Sequence, residues 1–508
     1  MSGQPHLVIA VLTPRTVTVE LAGTDARDRL DTPRRYRLTS EGAVVADGEM
    51  TRPVLTLDTL VPGTVYALEL DGAPTIAFTA PTETAFLDIR DFGARESAPD
   101  NGDAIARAIA AAPPGATLYV PPGTWRTAPV FLHSDLFVYL PQGAELVGLA
   151  ERDAYPILPA FDDHMRPCAS WEGVPASCYA SLLTAIDANG LTIAGGGVID
   201  GRGAQGDWWS WPKETRNGAR RPRTVFANRC TDFAMAGVTV RNSPSWTIHP
   251  LDCDRVRFAD LVIENPPDSP NTDGLNPESC RDVEIVGVRF SVGDDCIAIK
   301  SGKIWPDGTV PAPTRNVSVR HCLMERGHGG VVIGSEMSGS VTDVTISNCR
   351  LVETDRGLRI KTRRGRGGEV ANILMRACDM DGVRTPLVVN AHYFCDPDGK
   401  SDAVQNRLPA PVSSATPRLR DITFSHISAH NVHHAIAFVL GLAEAPITGL
   451  VIDTVSASYA PSASAAPPAM ALGVPAMRHA KIVIENAIDP AVSAITQIDV
   501  PTGRQESA

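Results

Sequence analysis

Four short stretches hold the side chains with the most chemistry in them. Asn271-Thr272-Asp273-Gly274 is followed, twenty-one residues on from Asp273, by Gly293-Asp294-Asp295-Cys296; Gly327-His328-Gly329 and Arg359-Ile360-Lys361 come next. Three carboxylates, an imidazole and two cations suit cleavage of a glycosidic bond in an acidic sugar. One carboxyl protonates the leaving oxygen, another activates water, and the cations meet the substrate charge. Taken singly, each stretch has a plainer use: an Asp-Asp pair as a turn or calcium-ligand set, Arg-x-Lys as the solvated face of a strand. Their joint order matters because a repeat runs beneath them.

Arg255-Val256-x-Phe258-x-x-Leu261 returns as Asp282-Val283-x-Ile285-x-x-Val288, as Asn316-Val317-x-Val319-x-x-Cys322, as Asp343-Val344-x-Ile346-x-x-Cys349 and as Asn372-Ile373-x-Met375-x-x-Cys378. Looser copies start at Asp421 and Gly449. The base period of twenty-seven residues, lengthened by insertions, predicts a solenoid with one coil per repeat, since a single repeat cannot bury its own apolar side chains. Asp294 and His328 each stand twelve residues after their repeat starts, which predicts equivalent places on adjacent coils. Asp273 and Lys361 each stand eighteen after theirs, which predicts a shared place on more distant coils. Cys322, Cys349 and Cys378 share a register and are expected to stack inside. Insertions near 153–180, 202–222, 303–314 and 395–418 are expected to flank a groove, and the Ala/Ser/Pro-rich run 457–475 reads as a floppy surface segment.

Upstream, Leu7–Val11, Thr16–Ala22, Arg35–Thr39, Val54–Leu57, Thr64–Leu70 and Thr75–Thr79 read as short alternating strands at sandwich spacing. Leu60-Val61-Pro62-Gly63-Thr64-Val65-Tyr66 resembles the tyrosine corner of fibronectin type III modules. Residues 1–82 are therefore read as a small β-sandwich of that kind, with a spacer role favoured over direct substrate binding, and 83–508 as a parallel β-helix. Ile105, Ala108, Ile109 and Ala112 form one face of a helix behind Asp100 or Asn101, placed to cover the open end of the solenoid.

With its motifs in this order, the chain resembles the polygalacturonases, the inverting pectin-degrading glycoside hydrolases, over about residues 85–490. The resemblance implies an all-β, right-handed parallel β-helix and hydrolysis of α-1,4 bonds between galacturonate units. It implies Asp294 as general acid, Asp273 and Asp295 as the carboxylates that position and activate water, and His328 as a tuner of the acid's proton. Arg359 and Lys361 would hold a substrate carboxylate, Asn271 would hydrogen-bond the sugar, and Tyr393 would lie beside it. No cofactor or metal is implied. The sandwich and long insertions look more like bacterial exo-acting members. Endo action and hydrolysis of a related pectin, branched or rhamnogalacturonan, remain open, with a calcium-dependent pectate lyase and a non-catalytic pectin-binding protein as more distant readings. Trp208-Trp209 is read as structural and Trp246 with His249 as cleft wall. Arg363, Arg364 and Arg366 are either further cationic subsites or exposed loop charge.

Composition limits the alternatives. A net charge of −12 argues against nucleic acid or an anionic membrane as partner, so a polyanionic substrate must be met by a local cationic patch. With 42 Gly, 41 Pro and 6% aromatic residues, the chain suits many short strands joined by turns. No apolar run reaches the roughly 18 residues of a membrane span. No secretory leader is legible, which favours a reducing, cytoplasmic setting over a periplasmic or secreted one. Most of the ten cysteines then read as buried thiols, with Cys168 and Cys178 the pair to check for a bridge.

Overall fold

The residue that begins each repeat is the one that bends each coil. Arg255, Asp282, Asn316, Asp343, Asn372 and Asp421 all have φ between 53° and 60°, and Gly449 has φ 63°. That left-handed conformation is tolerated best by Asn, Asp and Gly, which is why those types recur there. In the computed structural model, which describes residues 4–498, the next position of each repeat stacks in parallel register: Val256 on Val283, then Val317, Val344, Ile373, Ile422 and Leu450. All seven are buried in one continuous core. Burying each such side chain stabilises by about 1.5–3 kcal/mol, and each coil depends on its neighbour to do so. The chain is thus an all-β, parallel β-helix.

Cys322, Cys349 and Cys378 lie fully buried in this core, where burial, and then the flanking thiols Cys322 and Cys378, push Cys349 well above the ordinary thiol range. Cys230, Cys253 and Cys280 form a second buried column that the repeat count did not anticipate. Cys168 and Cys178 are not bridged: both thiols are free, and Cys178 directs its Sγ at the Ser170 carbonyl, 3.2 Å away.

The helix Gly102–Ala111 buries Ala104, Ile105, Ala108 and Ile109 against the first coils. Asp100 accepts from the Gly102 amide at 2.8 Å, while the Asn101 side chain instead ties Arg95 to Arg126. Before it stand a three-stranded sheet (His6–Leu12, Val17–Ala22, Val54–Leu57) and a four-stranded one ordered Ala43–Met50, Arg34–Ser40, Val65–Leu70, Ala73–Thr79. The Tyr66 hydroxyl accepts from the Val61 amide at 2.7 Å. Ala43–Met50 escaped the sequence reading because it is a mostly exposed edge strand with little apolar alternation. Glu20 pairs with Arg320 at 2.6 Å and Arg52 with Asp260 at 2.8 Å, fixing these sheets to the flank of the solenoid. No helix among the described residues is long and apolar enough to cross a membrane.

One face of the solenoid positions the site. It is a six-stranded parallel sheet, ordered Asp295–Ile299, Gly329–Gly334, Arg356–Lys361, Thr385–Asn390, Ala435–Leu440, Ala480–Glu485. Ile297, Ile299, Val331, Ile333, Leu358 and Ile360 point into the core, so their neighbours Lys300, Arg359 and Lys361 face outward; Asp295 also faces the cleft because the alternation breaks after it, Cys296 and Ile297 both lying in the core.

Candidate active site

Asp294 and His328 occupy the adjacent-coil positions that their spacing predicts. Asp295 pairs in register with Gly329, the His328 amide donates to the Asp294 carbonyl at 2.9 Å, and the side chains meet at 3.2 Å between Nδ1 and Oδ1. The expected match of Asp273 with Lys361 does not hold. Leu275 bridges to Ile297 and Gly274 donates to the Asp295 carbonyl, which puts Asp273 on the rung next to Asp295; Lys361 lines up instead with Gly334 and Lys300. The cause is the loop between Glu264 and Asp273. It delays Asp273 to eighteen residues after its repeat start, whereas Asp295, Gly329 and Arg356 each come at thirteen.

Asp273 therefore stands closer to Asp294 and Asp295 than the repeat spacing implies. Neighbouring rungs are about 4.8 Å apart, and Asn271, Asp273, Asp294, Asp295, His328, Arg359, Lys361 and Tyr393 all line one cleft of about 360 Å³. Lys361 Nζ donates to Asp295 Oδ2 at 2.8 Å and Arg359 Nη1 to Oδ1 at 3.5 Å. Asn276 donates to Asp273 Oδ2 at 2.8 Å. The buried Tyr393 ring lies 5.5 Å from the Arg359 guanidinium and 5.3 Å from the Lys361 ammonium, so it backs both cations. The Asn271 Oδ1 accepts from Arg221 at 2.6 Å, leaving its amide N–H groups for a ligand.

The electrostatics separate Asp273 from Asp294. Burial, and then the charges of Asp294 and Asp295, hold the Asp273 carboxyl well above the usual carboxylate range. Burial also opposes ionisation of Asp294, but the hydrogen bond and charge of His328, with Lys361 and Arg359, outweigh it and bring that carboxyl down to about 2. The same bond raises His328 to about 9 against the cost of burial. Asp294 and His328 therefore share one proton, and a carboxylate beside an imidazolium is the proton tautomer of a carboxylic acid beside a neutral imidazole.

Several cleft residues were not legible as such. Lys300 stands at the outward end of its strand, with its Nζ 2.8 Å from Glu336 and 4.7 Å from the Trp246 ring; burial opposes its charge, yet Glu336 and then Asp273 raise its pKa. A lysine closing the apolar run Cys296–Ile299 was the available signal. Asp355, Arg356 and Met470 also line the cleft. Trp246 forms wall as expected, but His249 lies behind it, fully buried against Glu278 at 2.9 Å and pushed down to about 4 chiefly by burial. Trp208 packs into an aromatic cluster with Tyr155, Tyr179 and Trp211 and does not line the cleft. Neither reading of the arginine run holds. Arg363 pairs with Asp398 at 2.9 Å, Arg364 with Glu444 at 2.6 Å, and Arg366 donates to the Ser335 carbonyl at 2.9 Å, so all three clasp loops to the solenoid. Insertions 153–180, 202–222 and 395–418 reach the cleft through Glu172, Lys213 and Cys395.

Comparison with known proteins agrees with this architecture. The model of the family "Glycosyl hydrolases family 28" matches residues 172–468. A "Probable polygalacturonase" of Vitis vinifera is 30% identical over 357 residues, covering 70% of this chain and 69% of that protein. An exo-poly-alpha-D-galacturonosidase of Dickeya chrysanthemi is 26% identical over 420 residues, covering 72% of this chain and 66% of the relative. Among solved structures, a family 28 exopolygalacturonase of Yersinia enterocolitica superposes with a TM-score of 0.70 over 98% of this chain and 99% of its own at 18% identity, a likeness of fold. The match of the family model over more than half of the chain, joined to the identity with the Vitis protein, makes this chain a member of glycosyl hydrolase family 28 and a glycoside hydrolase.

Proposed function

We propose that the enzyme hydrolyses α-1,4 bonds between galacturonate units of polygalacturonate or its oligosaccharides, with inversion, working from a chain end. The observation that carries this reading is the pairing of two cations, Arg359 and Lys361, with Asp295 two rungs away in one cleft. A neutral sugar has no use for them, whereas a uronate carboxylate fits the Arg fork and the Lys point charge. The names of the Vitis and Dickeya relatives support the same substrate.

In this mechanism the proton shared by Asp294 and His328 passes to the leaving glycosidic oxygen from Asp294, the acid that faces the cleft most openly. Asp295, held by Lys361 and Arg359, takes up the proton of an attacking water on the opposite face of the sugar, and Asp273 helps to place that water. Asn271 and Tyr393 line the sugar's berth. The test is the product of long oligogalacturonate: a new reducing end without an ultraviolet-absorbing double bond. An unsaturated product would overturn hydrolysis in favour of elimination, and tight binding without turnover would leave only a binding protein.

The pH dependence follows from the shared proton. Because His328 is raised above its ordinary value, the pair keeps its proton below about pH 9 and loses it as pH rises through that value. In His328→Gln, Asp294 loses the partner that lowers its pKa and must hold the proton alone. The alkaline limb of kcat/KM is expected to move from near 9 toward the carboxylate range. An unchanged limb measured across pH 4 to 10 would remove His328 from this role.

A further inference from the structure

The run 457–475 is not a floppy surface segment. After the strand Thr448–Tyr459 the chain crosses back over the sheet that floors the cleft, closed on itself by the antiparallel bridge between Ala466 and Met477. Arg356 Nε donates to the Pro468 carbonyl at 2.7 Å, Asn390 to the Met470 carbonyl at 3.1 Å, and the Leu472 amide to Gln405 at 2.8 Å. Its small side chains let the backbone lie close to the sheet, which a bulkier sequence would prevent.

What lies beneath it decides its role. Arg359 and Lys361 face outward into the cleft. In the same columns the next rung carries Val388 and Asn390, and the one after carries Phe438 and Leu440. Val388, Phe438 and Leu440 are 1% exposed, covered by Ala469 and Ala471 with Val474 and Met477. The floor is therefore roofed from the rung immediately beyond Arg359 and Lys361, about 4.8 Å away. At the edge of the roof Met470 sets its Sδ 3.4 Å from Arg359 Nη2 and lines the cleft. Toward earlier coils the cleft continues along Lys300, Asn271 and Trp246.

We propose that residues 461–477 form a strap that ends the cleft at the Arg359 and Lys361 rung, so that a bound galacturonan extends past the cleavage point by a single sugar on that side. This rests on the hydrolase reading above and gives its terminal attack a structural cause. Each cleavage then detaches one unit, and chain length is accommodated on the other side alone.

The experiment follows the first products from hexagalacturonate. The expected result is monomer and pentamer with no early dimer, trimer or tetramer; early dimer with tetramer, or trimer alone, would overturn the proposal. Replacing residues 463–475 by a short Gly-Ser turn is expected to release dimer and trimer as well, and a folded variant that still releases monomer alone would equally overturn it. Should that variant fail to fold, Ala469→Glu, which prises the strap from Phe438 without altering the floor, is read in the same way. No cleavage of hexagalacturonate at all would instead overturn the hydrolase reading beneath it.

Discussion

Asp294→Asn is expected to lower kcat on oligogalacturonate by about 10²- to 10⁴-fold, the usual contribution of a positioned general acid, while substrate still binds. The amide keeps the shape of the carboxyl and can still contact His328, but it delivers no proton to the leaving oxygen. His328 loses its carboxylate partner in the same variant, so its pKa should fall from about 9 toward the ordinary imidazole value. Steady-state kinetics, calorimetric binding of an oligogalacturonate and NMR titration of the imidazole test the three parts together. Activity near that of the parent enzyme would refute the acid assignment. A drop in binding as large as the drop in kcat would mean that Asp294 serves mainly to hold the sugar.

The fold was legible because the solenoid writes its period into the chain twice. Apolar residues recur at each coil, and Asn, Asp or Gly recurs at the left-handed bend that starts most coils. Register was legible only where no loop intervened. Asp294 and His328 come after coil segments of equal length, and their spacing placed them; Asp273 follows a lengthened loop, and counting from its repeat start misplaced it by several positions along the rung. Residues whose role depends on a distant partner were not legible either. Arg363, Arg364 and Arg366 look like exposed charge until Asp396, Asp398 and Glu444 arrive from other loops. The strap was misread for the same reason: its low-complexity composition signals disorder in isolation, yet Phe438 and Leu440 supply the apolar surface that orders it.

Arg359→Ala is expected to weaken kcat/KM on galacturonate substrates by a factor between about 30 and several thousand, corresponding to the roughly 2–5 kcal/mol lost when one partner of a desolvated charge pair is truncated. The loss should depend on the substrate's charge, because the guanidinium is buried, backed by Tyr393 at 5.5 Å and aimed with Lys361 at the same berth. Methyl esterification of the sugar carboxyl at that position removes the partner charge from the substrate side, so parent and variant should then differ little. Arg359→Lys should fall between the two, since it restores the charge without the fork that meets both carboxylate oxygens. Asp295 keeps its 2.8 Å partner Lys361 in both variants, which limits damage to the water-activating carboxylate. Equal losses on esterified and free substrates would show that Arg359 acts through Asp295 or the strap, by way of its contact with Met470, and would move substrate recognition to Lys361 and Lys300.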